Sequence, residues 1–204
     1  MPPRCGITFL TDATIDEIQK VFSLIEYANK TIDEYFGIIT SFDILICRGS
    51  WEMEVQVISR KKYKFSATYD DTKSIGITDY RLEEIVIRYD IAKFGHYLHE
   101  LIHGIISKSH PHQLREGLAW YFTLKLTEEY RYVRPPYPSW VNELYIYPTK
   151  RLAEIVGDDF LKDLAIGKAL VQHELLPKGV QDLFLPEEVF YSKMTFYHGD
   201  RGGS

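Results

Sequence analysis

Five of the seven histidines in the chain lie within residues 96–122, and two of them flank a glutamate in the order His-Glu-x-x-His. On an α-helix, His99 and His103 are one turn apart, so both side chains can reach a single ion from the same face. Zinc binds imidazole nitrogens at tetrahedral corners about 2.0 Å away. Glu100 lies to the side of this face, where its carboxylate can act as a general base on a water molecule held by the ion. The motif alone also fits a helix with a solvated, histidine-rich face, so both interpretations stay open.

The segment that carries the motif has a separate apolar face. When residues 91–106 are placed on a helix, their apolar side chains fall in one sector about 100° wide, typical of a stripe that faces a core. This sector contains Ile91, Phe94, Leu98, Leu101, Ile102 and Ile105. His96, His99 and His103 lie roughly opposite it. We therefore expect the histidines to point away from the core stripe.

A second helix offers a third ligand. If the first helix extends to about Lys108 and the chain reverses near Pro111, the next helix begins at about Gln113. With a rise of about 1.5 Å per residue, His103 and Glu116 then come to a similar height, about 7.5 and 4.5 Å from the turn. Glu116 would face the metal, and the neighbouring Gly117 would let the two helices approach closely.

The sequence "HELIH", followed after twelve residues by "EGLAWYF", resembles the gluzincin group of zinc metallopeptidases. These peptidase MA-like families combine HExxH with a downstream glutamate in an EG(L/F)A context. The resemblance implies that His99, His103 and Glu116 bind zinc, that Glu100 is the catalytic base, and that a hydrolytic water takes the open position. It also implies a helix and a small mixed sheet before the HExxH helix. The close match covers residues 99–122.

Other ligand sets can be weighed against this one. The metzincin pattern HExxHxxGxxH needs Gly and His at two positions where the chain has Ile106 and Ser109, so it does not fit. His110 and His112 are alternative third ligands in a looser arrangement, although both fall in the predicted turn. We expect His96 to line the cleft or to support a ligand, because a catalytic zinc ion keeps three protein ligands.

Before the motif, the pattern predicts one helix and several strands. The helix begins after Thr11 or Asp12 and ends at Gly37, with apolar residues at a period of 3.6. The strands are predicted at 41–47, 53–59, 62–69, 74–80 and 82–88. Short connections favour a mostly antiparallel sheet, since parallel strands need long crossovers.

After about Asp90 the pattern becomes helical, with helices predicted at 91–108 and 113–130 and two or three more across 149–184. The fold class is therefore α+β, and the resemblance makes it zincin-like. We expect a single domain over residues 1–204, with a helix-and-sheet subdomain (1–90), a helical subdomain (91–198) and a flexible tail (199–204).

Composition narrows the class of function. The net charge is −5 and no long basic run occurs beyond residues 60–64, which argues against a nucleic-acid partner. Cys5 and Cys47 match no cysteine-based zinc site, although "PRCG" around Cys5 resembles the cysteine switch of matrix metallopeptidases. No stretch is typical of a signal peptide or a membrane span. We expect a cytoplasmic protein that does not bind membranes.

These observations favour a zinc-dependent hydrolase of peptide bonds that acts on a peptide or protein substrate. The aminopeptidase motif GxMEN is absent, which favours an endopeptidase, although Glu52 or Glu54 could still bind a substrate ammonium group. An edge strand, 74–80 or 82–88, would align an extended peptide. The candidate donors to the oxyanion are Tyr145, Tyr147, His173, Tyr191, Tyr197 and His198.

The alternative is a non-catalytic binding protein in which the metal has only a structural role and holds two helices together. Structural zinc sites have four protein ligands. A fourth ligand, His96 or His112, would therefore favour this alternative.

Overall fold

The computed structural model describes residues 6–49, 52–53, 55–56, 75–186 and 188–190. Several predictions lie outside these residues: the strand at 62–69, the basic run at 60–64, the tail at 199–204, and the roles of Cys5, Glu54, Tyr191, Tyr197 and His198. The described residues form a four-stranded sheet and several helices, which confirms the α+β class. None of the helices in these parts of the chain is long and apolar enough to cross a lipid bilayer.

The chain divides into two compact units. The first contains Met1–Ile105 and Thr123–Pro135, and the second contains Ile106–Phe122 and Pro136–Ser204. The elements of the first unit are β1 (Ile7–Phe9), α1 (Ile15–Phe36), β2 (Asp43–Cys47), β3 (Gly76–Asp79), β4 (Glu84–Arg88) and α2 (Phe94–His103). Helix α3 (His112–Glu129) contributes its first half to the second unit and its last turns to the first.

Helix α1 begins at a capping box. The Glu17 N–H donates to Thr14 Oγ1, and the Glu17 carboxylate accepts from the Thr14 N–H at 2.8 Å. The helix therefore starts later than the predicted caps, Thr11 and Asp12, because only Thr14 has a glutamate three residues downstream. It ends at Gly37, which adopts a positive φ of 70°, as predicted for a glycine C-cap.

The sheet has the order β1-β2-β4-β3. Among the described strands, the β1–β2 and β2–β4 pairs are parallel and the β3–β4 pair is antiparallel, so these strands do not form the mostly antiparallel sheet that was predicted. Helix α1 supplies the crossover that brings β2 parallel to β1. Strands 41–47, 74–80 and 82–88 are confirmed, but Met53, Val55 and Gln56 are helical, which contradicts the strand predicted at 53–59.

The two faces of the sheet carry different layers. One face presents Ile44 beside Ile85 and is covered by α2, which also packs against α1. The close approach of α2 is visible at Gly104, where a methyl group would lie 3.3 Å from Ile85 Cδ1. On the other face, Cys47 and Val86 form a small apolar cluster with their neighbours.

Helix α2 is shorter than the predicted 91–108, and all of it except His96 is buried. His99 is 8% exposed and His103 is 3% exposed, so their face of the helix is not solvated. Ile91, which was assigned to the core stripe, precedes the helix and is 44% exposed. This central helix is therefore enclosed by other parts of the protein.

The second unit is helical. After the first half of α3 it contains α4 (Ser139–Val141), a π-helical turn (Asn142–Ile146), α5 (Tyr147–Val156), α6 (Asp158–Ala165), a 3₁₀ turn (His173–Leu175), α7 (Lys178–Gln181) and a second 3₁₀ turn (Asp182–Phe184). Gly117 of α3 lies against Thr149 of α5 and Leu183. These contacts account for the close packing at Gly117.

Candidate metal centre

Two buried imidazoles converge on the last turns of α2. The Nε2 atoms of His99 and His103 are 3.1 Å apart, and the ring planes are nearly perpendicular at 85°. Two nitrogens bound tetrahedrally to one zinc ion at about 2.0–2.1 Å lie about 3.4 Å from each other. The observed separation is close to this value, so both nitrogens can bind one ion with only a small adjustment.

Each imidazole has an oxygen beside its other nitrogen. Nδ1 of His103 lies 2.7 Å from Tyr80 Oη, and Nδ1 of His99 lies 3.5 Å from Thr123 Oγ1. When a metal occupies Nε2, the neutral ring carries its proton on Nδ1, which must then donate to an acceptor. A tyrosine or threonine oxygen can accept such a bond, so both rings are oriented to direct Nε2 toward an ion.

Glu100 contacts strand β3. Its side chain is buried, and Thr78 donates a hydrogen bond from Oγ1 to Glu100 Oε2 at 2.8 Å. Gly76 makes room for it, because a methyl group at that position would lie 2.6 Å from Glu100 Cδ. The strand thus fixes the carboxylate from one side, an arrangement that suits a base beside the metal.

One ligand atom from each of His99, His103 and Glu116 lies within 4.8 Å of the other two. These residues are the predicted ligand set, and they could hold a metal ion. Glu100 is not a member of the group. Over the described residues, no fourth histidine, cysteine, aspartate or glutamate joins it either.

The other histidines of the motif region have different contacts. Nε2 of His110 lies 2.6 Å from the Leu164 carbonyl oxygen, and burial lowers the pKa of this imidazole. His112 is the first residue of α3. Neither histidine is in the ligand group, so the structure gives no support to them as third ligands.

His96 caps its own helix. Its Nδ1 accepts a hydrogen bond from the Lys93 N–H at 2.9 Å, and burial lowers its pKa to about 4. The imidazole is therefore neutral at pH 7. This bond explains why a histidine on the same helix face as His99 and His103 is not part of the ligand group.

The residues predicted to stabilise an oxyanion or to bind a substrate ammonium group differ in burial and contacts. Tyr145 is buried and stacks on Phe190, whereas Tyr147 is 58% exposed. His173 stacks on Phe184, and Glu52 accepts a hydrogen bond from the Gly49 N–H at 2.9 Å. Their roles in catalysis stay predictions.

Sequence reasoning missed Gly76, Thr78, Tyr80 and Thr123. The first three alternate along and just after β3, so they share the sheet face that α2 covers. That alternation predicts a shared face of the strand, but it does not indicate which helix that face contacts. Thr123 follows Glu116 by seven residues, which places the two on one face of α3.

The resemblance of residues 99–122 to gluzincins concerns one motif and its spacing. It leaves the family of the whole chain open. Comparisons of the chain with models of known protein families, with curated proteins and with solved structures find no match.

Proposed function

We propose that the protein is a zinc-dependent hydrolase of peptide bonds, with His99, His103 and Glu116 as the metal ligands. The observation that carries this proposal is the convergence of two buried imidazole Nε2 atoms, 3.1 Å apart, with the Glu116 carboxylate in the same group. Two imidazoles and one carboxylate are a donor set that catalytic zinc uses, with a fourth position left for water or substrate.

Zinc supplies Lewis acidity: it polarises a carbonyl group and lowers the pKa of water toward ~7. Glu100 is the base in this proposal, because it follows the ligand His99 directly in the chain, its carboxylate is buried, and it is not a member of the ligand group. It takes a proton from the attacking water and passes it to the leaving amine. Thr78, through its bond to Oε2, keeps the carboxylate in one orientation during both transfers.

The number of protein ligands supports catalysis over a purely structural site. Structural zinc sites have four protein ligands, whereas the group within the described part of the chain has three. His96, one of the two candidates for a fourth, accepts its hydrogen bond from the main chain of Lys93 instead.

In this proposal an extended peptide binds beside β3. Among the described strands, β3 lies at the end of the sheet order and β4 lies inside it, so only the first of the two predicted edge strands can take this role. Edge strands present unpaired N–H and C=O groups to an extended chain. Binding a peptide along its length in this way favours an endopeptidase, as does the missing aminopeptidase motif.

The test combines metal analysis with peptide cleavage. Purified protein should contain about one zinc ion per chain and cleave a mixed peptide library, lose activity to a chelator and regain it with added zinc. A zinc-free protein, or a zinc-bound protein without cleavage, would contradict the proposal.

The same internal sequence, offered with a free and with an acetylated N-terminus, distinguishes the two kinds of peptidase. Comparable cleavage of both supports an endopeptidase. Activity confined to the free amine would indicate an aminopeptidase and direct attention to Glu52 and Glu54.

A further inference from the structure

We propose that Tyr80 is a positioning residue of the metal centre, which holds His103 in the orientation and tautomer that bind the ion. This inference rests on the metal site of the proposed function but concerns metal binding, not hydrolysis. Neither the HExxH motif nor the downstream glutamate points to this tyrosine.

The contact between the two side chains is short and well oriented. Tyr80 Oη lies 2.7 Å from His103 Nδ1, and the two rings meet edge-on at 87° with centroids 6.1 Å apart. His103 is 3% exposed, so water competes little for this nitrogen. With the Nδ1 hydrogen donated to the tyrosine oxygen, the neutral ring offers the Nε2 lone pair to a metal.

Tyr80 is itself held in place. Phe42 packs edge-on against its ring at 6.0 Å and 85°. The preceding residue, Asp79, is buried and accepts hydrogen bonds from the N–H groups of Arg81 and Leu82 at 3.0 and 3.2 Å. These bonds close the turn that follows β3. The hydroxyl is therefore pre-positioned, and little conformational freedom is lost when His103 binds a metal.

The threonine contact to the second imidazole is longer. The oxygen beside His99 Nδ1 belongs to Thr123 and lies 3.5 Å away, at the outer limit of a hydrogen bond. The Tyr80–His103 contact is thus shorter than the Thr123–His99 contact. We expect its hydroxyl to contribute more to metal affinity than that of Thr123.

The test is Tyr80→Phe, which removes the hydroxyl and keeps the ring. Tyr97→Phe is the matched control, because Tyr97 lies on α2, is fully buried and has a hydroxyl with no hydrogen-bond partner among the described residues. Loss of a group that orients a metal ligand typically weakens metal binding about 10–100-fold. We expect this loss of zinc affinity for Tyr80→Phe in competition titrations, and wild-type affinity for Tyr97→Phe.

Two further measurements separate positioning from a general loss of structure. Melting of the metal-free variants shows whether each is folded at the titration temperature. The visible absorption of the Co²⁺-substituted protein reports ligand geometry, and it should change in Tyr80→Phe but not in Tyr97→Phe.

The outcomes distinguish this inference from the proposed function. A folded Tyr80→Phe with wild-type zinc affinity and an unchanged Co²⁺ spectrum would overturn the role of Tyr80 and leave the hydrolase proposal intact. Wild-type protein that binds zinc but cleaves no peptide would overturn the hydrolase proposal. The zinc titration of Tyr80→Phe would still test whether Tyr80 positions His103. Wild-type protein that binds no zinc would overturn both.

Discussion

The contacts to the candidate site differ in length between the two sides of helix α2. On the β3 side, Thr78 and Tyr80 approach Glu100 and His103 at 2.8 and 2.7 Å. On the α3 side, Thr123 approaches His99 only to 3.5 Å. The strand side therefore holds the base and one ligand through short hydrogen bonds, whereas the Thr123 hydroxyl constrains His99 only weakly.

The difference follows from how each side is built. Gly76 and Thr78 pair with Ile87 and Ile85 of β4, so the strand is fixed by its backbone ladder. Helix α2 packs on both strands, which holds its side chains at a constant distance from this face of the sheet. Short side chains on a strand can then make short contacts without bending the backbone.

The largest effect is expected from Glu100→Gln. This change removes the base but keeps the size of the side chain, and loss of a general base typically costs a factor of about 10²–10⁴ in rate. Zinc content should stay unchanged, because Glu100 is outside the ligand group. Peptide cleavage rates and metal analysis of the same preparation check both statements, and a zinc-free Glu100→Gln would contradict the assignment.

The next largest effect is expected from Glu116→Ala. Removing a direct ligand should weaken zinc binding more than the loss of a supporting group, which costs about 10–100-fold, so we expect a decrease beyond about 100-fold. His112→Ala, on the same helix, and His110→Ala serve as controls that should retain wild-type affinity in competition titrations. An equal loss in His112→Ala would show that the ligand set is wrong.

Local patterns in the sequence predicted most of the elements but not the direction of the sheet. Helix α1, which ends at Gly37, and strands β2 and β4 could be predicted directly. Their apolar patterns depend only on residues that are close together in the chain. Strand direction depends on pairing between distant segments. Treating residues 53–59 as a strand made the connections look short, although Met53 and Val55 are helical.

The residues of the candidate site likewise fall into those that a local pattern predicts and those that depend on distant segments. Helix geometry placed His99 and His103 on one face and Glu100 beside them, and spacing along the chain suggested Glu116. Tyr80 is 23 residues from His103 in sequence. Its contact arises only because the sheet face that carries it packs on α2, which no local pattern specifies.

Thr78→Val tests the strand side of the comparison. Valine matches threonine in shape but cannot donate to Glu100 Oε2, so the carboxylate loses the bond that orients it. We expect about a tenfold decrease in kcat, at the lower end of the effects of supporting groups, with unchanged zinc affinity. Thr78→Ser keeps the hydroxyl and should retain most of the activity. Equal activities in the two variants would show that the hydroxyl does not position the base.

Thr123→Val tests the helix side and should have the smallest effect. The hydroxyl lies 3.5 Å from His99 Nδ1, a distance at which a hydrogen bond is weak, so zinc affinity should fall by less than about tenfold. Thr127→Val is the matched control: this buried threonine, on the same helix, donates its hydroxyl to the Thr123 carbonyl oxygen at 2.7 Å. Competition titrations measure the zinc affinities of Thr123→Val and Tyr80→Phe, which can then be compared directly. A loss in Thr123→Val as large as that in Tyr80→Phe would mean that zinc binding shortens the contact with His99, and that both sides of α2 orient the ligands equally.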